Sequence, residues 1–202
     1  MKKSMAIVGV ALGLMAGGVN AAVINFDDLA PEGVDIPNGY AGFNWNNWEA
    51  FSSAPFSIIG PNGYVVGTVS QSNVSNNGLG GPADFFSSDS FTVNSLWATA
   101  AWNDGLSVTF TGYDASNNIV QTITVIPSAT EPTLYELNWA GIYKFGFASA
   151  GGTQHAGYFG KGTYVAIDDI TVNAVSPVPV PATLALLGLG LIGVARRSTS
   201  PR

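Results

Sequence analysis

Val108 and Phe110 alternate with Ser107, Thr109 and Thr111 in the stretch that begins at Leu106. After the polar segment Asp114-Ala115-Ser116-Asn117-Asn118, Ile119, Ile123 and Val125 alternate with Val120, Thr122 and Thr124. Period-two alternation on both sides of a short polar loop predicts a half-buried antiparallel hairpin over 106–126. Further strand signals fall at Val23–Phe26, Gly42–Trp45, Phe56–Ile59, Tyr64–Val69, Ser90–Trp102, Thr133–Trp139, Ile142–Ala148 and Tyr164–Asn173. Gly, Asn, Pro and Ser clusters separate them, and helical periodicity is absent. About nine to eleven short strands without a helix predict an all-β fold, an antiparallel β-sandwich of the jelly-roll type, over 23–175. No internal repeat is present, which argues against a propeller or solenoid.

The two ends break this pattern. Lys2 and Lys3 precede an apolar run from Ala6 to Met15, and Val19-Asn20-Ala21 offers small residues at a cleavage point. This is the layout of an export signal over 1–22, too short in its apolar part to span a bilayer. At the other end Ser176-Pro177-Val178-Pro179-Val180-Pro181 cannot be helical, because proline lacks an N–H and restricts its predecessor. Residues 182–195 then run without a charge, and Arg196-Arg197 close them. An apolar segment of about 14 residues approaches the lower limit for a membrane helix once Val178 to Pro181 are added. Arg196 and Arg197 place its end in the cytoplasm and the main domain on the far side. Within the segment, Gly188 to Gly193 matches a dinucleotide-binding glycine pattern. It lacks the βαβ context and the later acid, so the match is accidental.

Proline motif, apolar helix and terminal arginines in this order resemble the PEP-CTERM sorting signal. Val178, Pro179, Val180 and Pro181 form the motif, with Val180 where that family carries Glu. The resemblance implies recognition by an exosortase-type membrane peptidase. It implies membrane association through the C-terminal helix, then delivery to the cell surface, outer envelope or matrix of a Gram-negative bacterium.

Charge sharpens the division. The chain has 202 residues, a net charge of −6 and no Cys. Five of its seven basic residues lie at the two ends, whereas all thirteen acids lie between Asp27 and Asp169 beside only Lys144 and Lys161. That stretch therefore carries a net −11, the wrong sign for phosphate neutralisation, and nucleic acid is excluded as a partner. Disulfides, thiolate metal sites and Cys nucleophiles are excluded outright.

The opening Asn25-Phe26-Asp27-Asp28-Leu29 and the closing Val165-Ala166-Ile167-Asp168-Asp169-Ile170-Thr171-Val172 resemble galactose-binding-like jelly rolls. So do Ile36 to Trp45 and the Phe91-to-Trp97 strand between them. Terminal strands are neighbours in such a fold, which would bring Asp27, Asp28, Asp168 and Asp169 together. Clustered carboxylates repel and invite a hard cation, so a structural Ca²⁺ is expected there. The alternative is that one Asp of each pair faces solvent while the other caps a turn.

Five tryptophans fall in the domain. Trp45, Trp97 and Trp139 sit on strands and are expected in the core. Trp48 and Trp102 adjoin polar turn residues and are expected to be exposed, with Asn103 and Asp104 beside them as hydroxyl partners for a stacked sugar. His155, in a Gly-rich loop, is expected to be solvated. A serine-hydrolase arrangement has no motif, and no local signal selects a glycosidase pair among Glu49, Asp104, Glu131 and Glu136. The sequence thus points to a non-catalytic surface protein that binds carbohydrate or exopolysaccharide. A structural or adhesive matrix protein without a small ligand and a polysaccharide-active enzyme are the alternatives.

Overall fold

The alternating segment forms the expected hairpin. In the computed structural model, which describes residues 21–173, strand β7 (Asn103–Tyr113) pairs antiparallel with β8 (Ile119–Val125). Asp114 shapes the turn, its Oδ1 accepting from the N–H groups of Ser116 at 2.9 Å and Asn118 at 2.8 Å. Only β7 is half-buried; every residue of β8 from Ile119 to Thr124 is exposed.

Eight further strands complete the described fold: β1 (Ala22–Ile24), β2 (Val34–Asp35), β3 (Asn44–Asn46), β4 (Trp48–Ser52), β5 (Asn73–Asn77), β6 (Ala83–Ala100), β9 (Thr133–Gln154) and β10 (Val165–Val172). The hydrogen-bonded order is β2-β4-β5-β10-β6-β9-β7-β8, with β1 on β10 and β3 on β6, all antiparallel where paired. β6 and β9 are long enough to serve both layers. Their pairing breaks between Phe86 and Phe91, where Ser87 to Ser90 intervene, and Asn138 and Gly141 adopt positive φ on the facing strand. The sheet bends there and closes over itself as a sandwich. Phe85, Leu96, Phe110, Ile142, Phe145, Ile167 and Ile170 are fully buried between the layers.

Two expected strands are helical instead. Residues 54–59 form a 3-10 helix with Pro55 at its start, and Gly63–Gly67 form a short α-helix, α1. The cause is Asn62, which is buried and caps α1 by accepting from Tyr64 N and Val65 N, both at 3.1 Å. Gly63 lets the helix lie against β6, since a Cβ there would come within 2.0 Å of the Ala100 carbonyl oxygen.

β5 has no apolar alternation, yet all five residues are buried. Its polar side chains tie it to the adjacent strand β10 and to the segment after β1. Asn73 Nδ2 donates to the carbonyls of Phe26 (2.8 Å) and Leu29 (3.1 Å), and Ser75 Oγ donates to that of Ile167 (2.6 Å). Asn77 Oδ1 accepts from Val165 N at 2.8 Å. Satisfied in this way, buried polar groups cost little and fix one register.

Candidate functional site

On β4 and β5, Glu49 lies opposite Asn76 and Phe51 opposite Val74, so Glu49, Phe51 and Asn76 share one face. α1 brings Tyr64 to that face, the 3-10 helix brings Phe56, and the chain leaving β6 brings Trp102. Glu32, Gly33, Gly160, Lys161 and Tyr164 complete the lining. The result is a cleft of about 470 Å³. Its wall is an aromatic cluster: Phe51, Phe56 and Tyr64 have ring centroids 5.0 to 5.2 Å apart, and Trp102 stands edge-on to Tyr64 at 5.3 Å.

The polar groups are few and placed. Asn76 is only 4% exposed, and its Nδ2 donates to the Tyr64 hydroxyl at 3.2 Å. Its Oδ1 has no partner among the described residues. Burial pushes the Tyr64 phenol well above its ordinary value. Burial, and then the nearby Asp35 carboxylate, raise the Glu49 carboxyl. Lys161 is the single cation among the lining residues.

The expected ligand pair does not assemble. Trp48 is 1% exposed and sits between the layers, edge-on to Phe147 at 5.0 Å and Trp45 at 5.3 Å. Its polar neighbours mark a turn rather than exposure: Asn47 takes positive φ and donates to the carbonyls of Gly78 and Pro82. Trp102 is 7% exposed and contributes to the cleft wall, with Gly160 packed so close to its ring that a Cβ would lie 2.5 Å away. Asn103 is buried and ties the 151–162 segment, its amide bonding the Gly151 carbonyl and Gly162 N, each at 3.3 Å. Asp104 faces away from the cleft to His155, whose Nδ1 lies 2.8 Å from both carboxylate oxygens. His155 thus has a charged partner that its loop context did not reveal. The residues of the site that sequence reasoning missed, Tyr64 and Asn76 above all, carry no local motif.

The terminal strands are neighbours as expected, β1 pairing with β10. The four aspartates nevertheless do not gather around one centre. Asp168 Oδ2 accepts from Val69 N (2.7 Å) and Ser70 N (2.9 Å), and its Oδ1 accepts from Asp169 N (2.8 Å). Asp27 accepts from the N–H groups of Gln71, Ser72 and Asn73 at 2.9 to 3.2 Å. Asp28 turns to the Tyr40 hydroxyl at 2.7 Å. Two carboxylates therefore clasp the 69–73 segment between β1 and β10. Among the described residues no three acidic or His side chains are arranged to hold a metal ion. Backbone N–H donors, which the sequence pattern does not display, take up the carboxylate oxygens of Asp27 and Asp168.

Burial pushes the Asp168 carboxyl up to about 6 against the pull of its N–H donors. At Asp27 burial also raises the carboxyl, but the three N–H groups outweigh it and hold the value below the ordinary one. Val178, Pro179, Val180, Pro181, Arg196 and Arg197 lie outside the described residues, as does the export signal apart from Ala21 and Ala22.

The PEP-CTERM protein-sorting motif matches residues 177–198. The chain therefore carries the sorting motif of secreted, cell-surface bacterial proteins. No curated protein matches the chain. Among solved structures, a DUF4465 family protein from Bacteroides caccae is 15% identical, with a TM-score of 0.54, covering 76% of this chain and 98% of its own. That likeness shows a shared fold. A DUF4465 family protein from Bacteroides ovatus is 13% identical over 76% of this chain and 94% of its own, with a TM-score of 0.39. TmCBM61, solved with beta-1,4-galactotriose, is 12% identical over 69% of this chain and 95% of its own, with a TM-score of 0.37.

Proposed function

We propose that the β-sandwich binds carbohydrate in the Tyr64–Asn76–Trp102 cleft. The carrying observation is the Asn76 amide. It is buried, it spends one of its two polar atoms on Tyr64, and the other has no partner among the described residues. Leaving such an atom unpaired costs about 1–3 kcal/mol, which a ligand hydroxyl at this cleft would recover. Exchanging O and N of the amide changes which atom is left over, not that one is left over. A hydroxyl serves either case, since it both donates and accepts. Hydroxyls carried on a ring with apolar faces match the rest of the cleft, where Phe56, Tyr64, Trp102 and Tyr164 supply flat apolar surface and Glu32, Glu49 and Lys161 supply charged hydrogen-bonding groups.

The protein's place is the outside of the cell. We infer that an exosortase-type peptidase recognises the proline motif while the apolar segment lies in the inner membrane, with Arg196 and Arg197 on the cytoplasmic side. The sandwich is thereby delivered outward to the surface or matrix, where exopolysaccharide is the available ligand. Titration calorimetry of the full chain with a panel of neutral oligosaccharides tests the reading. Binding that Asn76→Ala weakens about tenfold supports it; a full chain that takes up no member of the panel leaves the adhesive, ligand-free reading in its place.

A second reading has one observation in its favour. Two carboxylates, Glu32 and Glu49, line the same cleft, and Glu49 holds its proton more tightly than usual, as a general acid does. Release of reducing ends from those oligosaccharides would identify hydrolysis; their recovery intact leaves binding alone.

A further inference from the structure

β8 ends the sheet. It pairs with β7 along one edge, and among the described residues no strand pairs with the other. An open edge offers a row of unused backbone N–H and C=O groups, and folded proteins normally protect it with charge, proline or a bulge. β8 carries none of the first two: Ile119-Val120-Gln121-Thr122-Ile123-Thr124-Val125 is uncharged and free of proline. Its one register shift lies at the turn end, between Gly112 and Tyr113 of the partner strand. Three of its side chains are apolar and open, with Ile119 63%, Val120 48% and Ile123 43% exposed, and Ile126 beyond its end is 67% exposed.

Charge identifies the occupant. Between Asp27 and Asp169 the chain carries thirteen acids against two lysines, so two copies repel over most of their surface. No charged residue occurs from Ala115 to Thr130, and β8 lies wholly inside that interval. An edge kept to meet a cationic partner would carry acids, as the rest of the domain does. The uncharged edge instead fits a surface of the same kind.

We propose that β8 pairs antiparallel with β8 of a second copy of this chain, about a two-fold axis at Thr122. In that register Ile119 faces Val125, Val120 faces Thr124, Gln121 faces Ile123, and Thr122 faces Thr122 of the second copy. Every pair is uncharged, and β-branched residues take part in each, which suits cross-strand packing. The interface is isologous, closes after two copies, and joins the sheets of both sandwiches into one. Such pairing doubles the number of binding clefts per particle without using any residue that lines them.

The chain has no Cys, so one introduced thiol reports the axis. Facing residues of an antiparallel pair have Cα atoms about 4.5–5.5 Å apart, within disulfide range. The full chain carrying Thr122→Cys is oxidised mildly, beside Ile58→Cys, a thiol on an exposed 3-10 helix position. Cross-linked dimer from Thr122→Cys well above that from Ile58→Cys is the expected result. Adding Gln121→Glu to Thr122→Cys sets like charges near the axis and lowers the dimer yield about tenfold. Equal yields from the two thiols mean random collision and overturn the proposal. A Thr122→Cys chain that stays monomeric, whether another segment or another partner holds the edge, overturns it too.

Discussion

Asn76 Nδ2 lies 3.2 Å from the Tyr64 hydroxyl, joining the centre of a buried polar strand to the first turn of a short helix. This bond fixes the Asn76 amide in the lining of the cleft and links it to Tyr64, which stands edge-on to Trp102. Replacing Asn76 by Leu removes the unpaired atom while keeping the volume similar. Stability should then change by no more than about 1 kcal/mol, because an unsatisfied group and a weak hydrogen bond leave together. Oligosaccharide binding should fall about tenfold or more. Chemical denaturation and calorimetry on the same preparation check both halves.

Gly160 packs on the Trp102 ring so tightly that a Cβ would sit 2.5 Å from it. Gly160→Ala should displace the indole from the cleft wall, costing about 1–3 kcal/mol in stability and weakening binding through shape alone. Loss of stability in thermal melts without any shift in the Trp fluorescence spectrum would show that the backbone, not the indole, had moved.

Asp168 is fully buried, and three backbone N–H groups converge on its carboxylate. Asp168→Ala leaves them without an acceptor and should cost about 2–4 kcal/mol. The exposed Asp104–His155 pair is a contrast at similar distance. Its loss in His155→Ala should cost no more than about 1 kcal/mol. Denaturant midpoints of the two variants give the comparison directly.

The same aspartate sets a pH dependence. Its folded-state value of about 6 exceeds the value near 3.9 expected in the unfolded chain. Between these values the folded protein binds more protons than the unfolded one, so this group's contribution to stability declines as pH rises through that window. Asp27 is shifted down, so its contribution is present above the unfolded value and lost as pH falls through the lower, folded one. Melting temperature should therefore fall from about pH 4 to about pH 6 on account of Asp168, and Asp168→Asn should flatten that part of the profile.

What the sequence made legible follows from what side-chain pattern encodes. The β7–β8 hairpin was readable because Val108 and Phe110 alternate with threonines and Asp114 opens a polar turn. The adjacency of first and last strands was readable from the fold they resemble, whereas the separate backbone partners of Asp27 and Asp168 were not. β5 was hidden, since Asn73, Ser75, Asn76 and Asn77 read as loop until their partners on Phe26, Ile167, Tyr64 and Val165 are known. Residues 64–69 read as a strand from their valines, although Asn62 before them is a helix cap. Trp102 drew notice for its polar neighbours and an expected exposure, and the structure places it, buried, in the wall of the cleft. Those neighbours, Asn103 and Asp104, serve the adjoining loop instead. The cleft draws on well-separated segments, and no local spacing announces it.

In the proposed binding mode the leftover amide atom of Asn76 meets a ligand hydroxyl. The most direct measurement follows the side-chain amide signals of asparagines by ¹H–¹⁵N NMR on the full chain as neutral oligosaccharide is added. A saturable shift of the Asn76 side-chain pair is expected, with Asn117 in the β7–β8 turn unmoved. Oligosaccharide that shifts other resonances while Asn76 stays still, or shifts none at all, would contradict it.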